Sequence, residues 1–401
     1  MGIIPRCGWQ DGRRLLEKRM DHATGLAGEF DRHLAATLRG DAGAWPFDGS
    51  ADSGALWKRV QFHGIAGLLA EKLASLSDWP EDLRAHVREE ARMQAFWEES
   101  HRAMLVSLLD GLAQRGVSTL LMKGSALAYA LYAEPSTRRR GDSDLLVAKA
   151  DLAVTRAVLT ELCFTRREDP HGLFFQETWL VDTGIGLVHA LDLHWQPSDS
   201  PALQKVLPAE EFFALARPLP RLSPHAAMPG LMQTFLQGSL NQAWHSCKGY
   251  FVGDERVVAG GRLIWAWDNR LLADAFSNSD WRDLADLAVE RGVAPLCLAA
   301  VDLALEVGGP VAPNDVRAQL ASAQSDTDLV GHIRESNRIR AFFTDFAAIP
   351  SLRDKSRFVL GHALPNTRHL HGKYPQSTAW PTPLLHLRRI AEAAWRLARL
   401  R

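Results

Sequence analysis

The sequence is short of cysteine, of net charge and of long apolar runs, and each shortage closes off a class of protein. Four cysteines in 401 residues (Cys7, Cys163, Cys247 and Cys297) lie far apart, with no Cys-x-x-Cys pair. Neither a disulfide framework nor a zinc ribbon follows from that spacing. Formal net charge is -1, from 46 basic and 47 acidic residues, which provides no global field for capturing a polyanion such as DNA. No uninterrupted apolar stretch reaches ~18 residues, so no transmembrane segment is expected. Residues 1–10 lack the long apolar core of a signal peptide, and the expected location is cytoplasmic. Low-complexity tracts and fixed-period repeats are missing as well, and 46% hydrophobic with 23% charged residues is the composition of a folded chain. No Gly-x-Ser-x-Gly occurs and no Ser/His/Asp set is arranged by spacing, so a hydrolase has no support.

What is present divides into three stretches, as the length allows. Residues 1–115 read as an N-terminal helical region, with helices expected over 12–38 and 55–73 and a further one opened by Pro80 over 81–112. In the last of these Trp97, Met104, Leu105, Leu108, Leu109 and Leu112 recur at steps of three and four, which makes a core-facing stripe. Residues 116–200 form an α/β core. A short apolar strand (117–122) follows Gly116, Lys123-Gly124-Ser125 leads into a helix over 126–132, and Pro135 and Gly141 punctuate a loop carrying Arg138, Arg139 and Arg140. Strands are expected at 144–147, 173–180 and 185–195, with a helix over 149–162. Residues 201–401 return to helical character, with helices at 228–244, 260–275, 280–291 (Asp280 as its N-cap) and 293–306. The stretch 383–401 is apolar on one face and ringed by arginines; its contact is expected to be a partner helix or its own core, in preference to an anionic membrane surface.

Chemistry concentrates in the middle stretch. In extended chain, residues two apart share a face, so Asp142 and Asp144 present two carboxylates side by side where an apolar strand begins. Like charges so close repel, and a hard divalent cation with oxygen ligands is the natural remedy. Lys123-Gly124-Ser125 stands at a strand-to-helix junction, where free N–H groups and the helix dipole favour anions and glycine permits close approach by a phosphate. Asp192 interrupts an alternating strand, with Leu191 and Leu193 on one side and Asp192 and His194 on the other. A carboxylate inside a sheet is costly unless paired or metal-bound. Three carboxylates on neighbouring strands beside an anion-binding turn describe a phosphoryl-transfer site that holds metal ions.

The run LLMKGSALAYALYAEPSTRRRGDSDLLV resembles the uncharacterised bacterial nucleotidyltransferase family of the DNA polymerase β-like superfamily. The resemblance rests on Lys123-Gly124, on Arg138 to Asp144 and on Asp192-Leu193-His194-Trp195, and extends over about residues 55–310. It implies an α+β fold, in which a small mixed β-sheet nucleotidyltransferase core is flanked by N-terminal and C-terminal helical regions. It also implies a nucleoside triphosphate substrate, ATP favoured, with Lys123, Gly124 and Ser125 under its phosphates and Mg²⁺ (or Mn²⁺) held by Asp142, Asp144 and Asp192. Asp192 would act on the acceptor hydroxyl, and pyrophosphate would leave. Arg138 and Arg140 are expected to steady the triphosphate, since guanidinium suits phosphate. The acceptor is open (a small molecule, a peptide or a protein), nucleic acid is disfavoured by the charge balance, and the oligomeric state is open too.

Other residues are read more plainly. His194 is expected to be a hydrogen-bonded strand histidine, with contact to the metal or the acceptor as the alternative, and Tyr129 and Tyr132 to be packing. His245 and Asp268 are candidates to line the cleft from the C-terminal helices; otherwise Asp268 is expected to cap its helix or pair with Arg262 or Arg270. Two departures from the family pattern stand out. Ser143 sits where an apolar residue is usual, so the back of that strand is expected to be less well buried, and 245–262 is longer and richer in glycine. Rival readings keep the fold without the chemistry (a nucleotide-binding pseudoenzyme or regulatory protein), treat the chain as an interaction module, or direct the same transfer at a partner protein or RNA, as toxin–antitoxin transferases do.

Overall fold

The computed structural model describes residues 26–48, 51–167, 175–252, 255–257, 261–323, 327–335, 337–363, 370, 374 and 380–398, and the first elements among them are helices. These are α1 (Leu26–Arg39), α2 (Ser53–His63), α3 (Ala66–Ala70) and α4 (Glu81–Ala113). Their ends have local causes. Asp52 caps α2 by accepting the Gly54 N–H. Pro80 precedes α4 with an extended ψ of 133°, and Glu81 and Asp82 put negative charge on the positive end of its dipole. Along α4 the leucines of the expected stripe are buried, with Trp97 and Met104 half-buried at its edge. Gly116, at φ +71°, reverses the chain after α4, a conformation that any Cβ would strain.

The chain then builds one five-stranded sheet: β1 (Thr119–Met122), β2 (Asp142–Val147), β3 (Thr165–Arg166), β4 (Gln176–Asp182) and β5 (Val188–His194). Helix α5 (Lys123–Ala130) follows β1 directly and α6 (Leu152–Glu161) follows β2. Spatial order is β1-β2-β5-β4-β3, with β2 and β5 parallel and the other pairs antiparallel. The register aligns Asp144 with Asp192 across the parallel pair, and Met122, the last residue of β1, with Asp144.

Beyond the sheet come α7 (Pro201–Gln204), α8 (Ala209–Ala214), the hairpin β6 (Arg217–Pro218) and β7 (Ala227–Met228), then α9 (Leu231–Lys248) and the hairpin β8 (Tyr250–Val252) and β9 (Glu255–Val257). Helices α10 (Leu263–Asp274), α11 (Asn278–Glu290), α12 (Ala294–Leu305), α13 (Asn314–Ser322), α14 (Asp328–Arg334), α15 (Arg338–Ala348), α16 (Leu352–Ala363) and α17 (Thr382–Ala398) follow. One expectation is corrected here. Asp280 does not cap α11; Ser277 does, and the Asp280 carboxylate, three residues on, accepts a hydrogen bond from the Ser277 N–H, completing a capping box.

The arrangement is α+β, with a small mixed sheet between helical regions. Two apolar cores flank the sheet. Under one face Leu121, Leu145, Leu191 and Leu193 pack on Leu105, Leu108 and Leu112 of α4. The other core joins Leu120, Met122 and Leu146 to the N-terminal helices and to α9, α10 and α12. The aspartates of β2 and β5 belong to this second face, so the C-terminal helices form the far wall of whatever they bind. The N-terminal helices also pack closely on the core: at Gly67 of α3 a Cβ would lie 2.6 Å from the Thr137 carbonyl oxygen, in the loop that carries the three arginines.

Candidate active site

The junction between β1 and α5 is strained where it meets the carboxylates. Lys123 adopts φ +51°, rare for a residue with a Cβ. Its backbone twist turns the chain from strand to helix within one residue and brings its ammonium to 2.6 Å from Asp144 Oδ1. From the parallel neighbour, His194 Nε2 reaches the same oxygen at 2.9 Å. Asp192 is held from the other side by β4, where Thr178 donates its hydroxyl to Oδ1 at 2.6 Å.

These contacts split the three carboxylates electrostatically. Burial pushes the Asp144 carboxyl up, but Lys123 and then His194 outweigh it and hold the group below the usual carboxylate range. Asp192 goes up, from burial and the nearby Asp144 charge. Asp142 goes up to about 6, from burial first and then from Asp144 and Asp192. By surface area Asp142 is exposed, yet protein groups surround its carboxyl. The crowding sets the direction of its shift, and the exposure limits what that shift is worth in energy. Lys123, which burial alone would lower, is raised by the same three carboxylates, Asp144 first.

Asp144, Asp192 and His194 each offer a ligand atom, and the three atoms lie within 4.8 Å of one another. Two carboxylate oxygens and an imidazole fit Mg²⁺ or Mn²⁺, the nitrogen favouring the latter. His194 therefore meets the expectation of a hydrogen-bonded strand histidine and stands in the metal-capable group as well. Asp142 is not one of these three.

The remaining expected residues lie at different places. Lys123 and Gly124 open α5, so the first-turn N–H groups have no acceptor within the helix. The Ser125 hydroxyl points away from the cleft, to Ser143 Oγ at 2.7 Å. Arg138 is beside Gly124, its guanidinium 3.4 Å from where a Cβ would be. Nε and Nη2 of Arg138 bind both oxygens of Asp268 on α10 at 2.8 and 2.7 Å, and Tyr132 donates to Asp268 Oδ1 at 2.7 Å. The expected partners of Asp268, Arg262 and Arg270, are replaced by this pair. Arg140 does not join the carboxylates. It lies behind β2 on Glu98 of α4 at 2.5 Å, over the rings of Trp97 and Tyr129. Ser143, expected to weaken burial there, is fully buried.

Across the cleft, Lys123, Gly124 and Arg138 face Gln237, Asn241 and Trp265 of α9 and α10 around a cavity of about 50 Å³. Thr178, Glu98 and His101 escaped the sequence reading. Each acts through a pairing made over a long sequence distance, and only the alternation of β4 hinted that Thr178 shares a face with Asp192.

No curated protein and no solved structure matches the chain. A family model described as uncharacterised nucleotidyltransferase matches residues 49–309, more than half of the chain, from just before α2 to just after α12. The matched stretch contains the strained junction, all three aspartates, His194 and the α9–α10 wall. The chain belongs to the family of uncharacterised nucleotidyltransferases.

Proposed function

We propose that this protein moves a nucleoside monophosphate from a nucleoside triphosphate, ATP favoured, to the hydroxyl of a small molecule, peptide or protein, releasing pyrophosphate. The observation that carries the reading is the register of β2 and β5, which sets Asp144 beside Asp192 with His194 and Lys123 on the same oxygen. Bound at Asp144, Asp192 and His194, a divalent cation would neutralise phosphate charge and make an acceptor hydroxyl easier to ionise. The chain's own groups do the rest. Lys123 and the first-turn N–H groups of α5 attract and orient the phosphates. Asp192 takes the proton of the acceptor hydroxyl as that oxygen bonds to the α-phosphorus. The bond from the α-phosphorus to the bridging oxygen breaks, and pyrophosphate carries away the electron pair. A net charge of -1 argues for an acceptor other than nucleic acid, and NTP supply argues for the cytoplasm.

The test is binding and turnover of labelled ATP, GTP, CTP and UTP with Mg²⁺ or Mn²⁺, in wild type and Asp144→Asn/Asp192→Asn. Metal-dependent binding that the double variant loses, with pyrophosphate released, supports the transferase. Binding without release moves the reading to a nucleotide-binding regulatory protein on the same fold. A folded wild type that binds none of the four sinks the proposal.

A further inference from the structure

The back of β2 carries a line of buried polar groups that the site chemistry does not use. His101 of α4 and Ser143 are fully buried, and Ser125 is 1% exposed. Arg140 Nη2 lies 3.5 Å from His101 Nδ1, and His101 Nε2 lies 2.8 Å from Ser143 Oγ. Ser143 Oγ lies 2.7 Å from Ser125 Oγ, and the Ser125 hydroxyl reaches the Asp142 carbonyl oxygen at 3.4 Å. Both ends dictate the direction of donation. Arginine can only donate, so Nδ1 accepts and Nε2 carries the proton; a carbonyl can only accept, so Ser125 donates to Asp142 and accepts from Ser143. The two requirements agree, and one unbroken sequence of donors runs from Arg140 to the backbone of Asp142.

Resting on the proposed transferase reading, we infer that His101 and Ser143 are positioning residues, which fix the distance between the phosphate-facing turn of α5 and the carboxylate strand β2. Ser143 stands between Asp142 and Asp144 and ties β2 to Ser125, in the first turn of α5. His101 is itself held. Its ring is stacked on Trp97, centroids 4.3 Å apart and planes within 16°, and Arg140 is anchored on Glu98. The rest of that face is mostly leucine, with Glu98, Arg140 and a second buried histidine, His189, whose ring lies 5.4 Å from that of His101, and a line of buried polar groups adds little net stability over apolar packing. What it adds is a defined geometry, because each hydrogen bond is satisfied only over a narrow range of distance and angle.

The experiment compares wild type with Ser143→Ala, His101→Leu and His101→Gln, the last keeping one donor and one acceptor. Two quantities are read under conditions where every variant is folded: backbone hydrogen exchange over residues 123–126 and 142–144, and affinity for Mn²⁺·ATP. Ser143→Ala and His101→Leu should speed exchange there while leaving α12 unchanged, and weaken Mn²⁺·ATP about tenfold, the scale of one lost hydrogen bond. His101→Gln should restore most of both. Unchanged exchange at those residues, or a uniform rise across the chain, overturns the proposal and leaves packing as the only role. If wild type binds no Mn²⁺·ATP, the transferase reading fails by itself, and the exchange pattern still decides whether these residues hold the turn to the strand.

Discussion

Replacing Asp142 by asparagine should make the metal-free protein more stable. Asp142 is the carboxylate without a cation of its own: Lys123 and His194 go to Asp144, and Thr178 goes to Asp192. Its carboxyl is raised from 3.8 to about 6 by burial, Asp144 and Asp192. Because the folded value is the higher one, the folded protein binds more protons than the unfolded chain between about pH 4 and pH 6, and stability falls as pH rises through that window. A difference of that size corresponds to about 3 kcal/mol for a fully buried group. Asp142 opens onto solvent, and screening reduces the expected gain to about 1 kcal/mol. That is a rise in Tm of about 1 °C for a chain of this length, present at pH 7.5 and gone at pH 4. Asp144, whose carboxyl is lowered, gives stability above pH 4 in both proteins, and its repulsion of Asp142 is already counted in the raised Asp142 value. Thermal unfolding in EDTA from pH 4 to pH 8, wild type beside Asp142→Asn, measures it. A variant less stable than wild type at pH 7.5, or a difference that does not shrink on acidification, refutes the account of the site's charge.

Asp268→Ala leaves the Arg138 guanidinium buried without its carboxylate and should cost about 3–5 kcal/mol in urea unfolding, whereas Tyr132→Phe, which removes one hydrogen bond to the same carboxylate, should cost about 1 kcal/mol. Equal losses from the two would mean that the ion pair is not what matters there. Ser277→Ala removes the α11 cap and should cost about 1 kcal/mol with nucleotide affinity unchanged, which thermal unfolding and titration check together. Lys123→Met frees Asp144 from its ion pair, so calorimetry should find Mn²⁺ alone binding more tightly and Mn²⁺·ATP more weakly; weakening of both would show that Lys123 shapes the metal site instead of competing for it.

The alternation of side chains explains why so much of the site was legible. Asp142 and Asp144 two apart, and Asp192 between Leu191 and Leu193, carry their face assignment in one dimension, and a carboxylate inside a strand is costly enough to announce itself. Helix α4 was legible for the same reason, with a period of 3.6 and a proline at its start. What was not legible is everything decided by pairing. Nothing in the local sequence says that β5 inserts between β2 and β4, so neither the Asp144–Asp192 register nor the Thr178 contact could be read. The arginine loop shows the limit most clearly. Three adjacent guanidinium groups look interchangeable in sequence, yet Arg138 turns to Asp268, Arg139 to Glu90 and Arg140 to Glu98. Those partners lie on α10 and α4, and the choice among them was made by tertiary packing.

The same comparison gives Ser143 its meaning. A serine at a position that favours an apolar residue reads, in sequence, as a defect in the back of the strand. In the fold it is the link by which α4 reaches the first turn of α5, through His101 on one side and Ser125 on the other. A cavity or a polar orphan there would loosen β2 just where two like charges already push it apart. The hydroxyl holds the strand from behind while Lys123 holds it from the front, and the two restraints meet at the single peptide between Ser143 and Asp144. Local rules fail at this position because it serves the geometry of the carboxylates ahead of the packing of its own face.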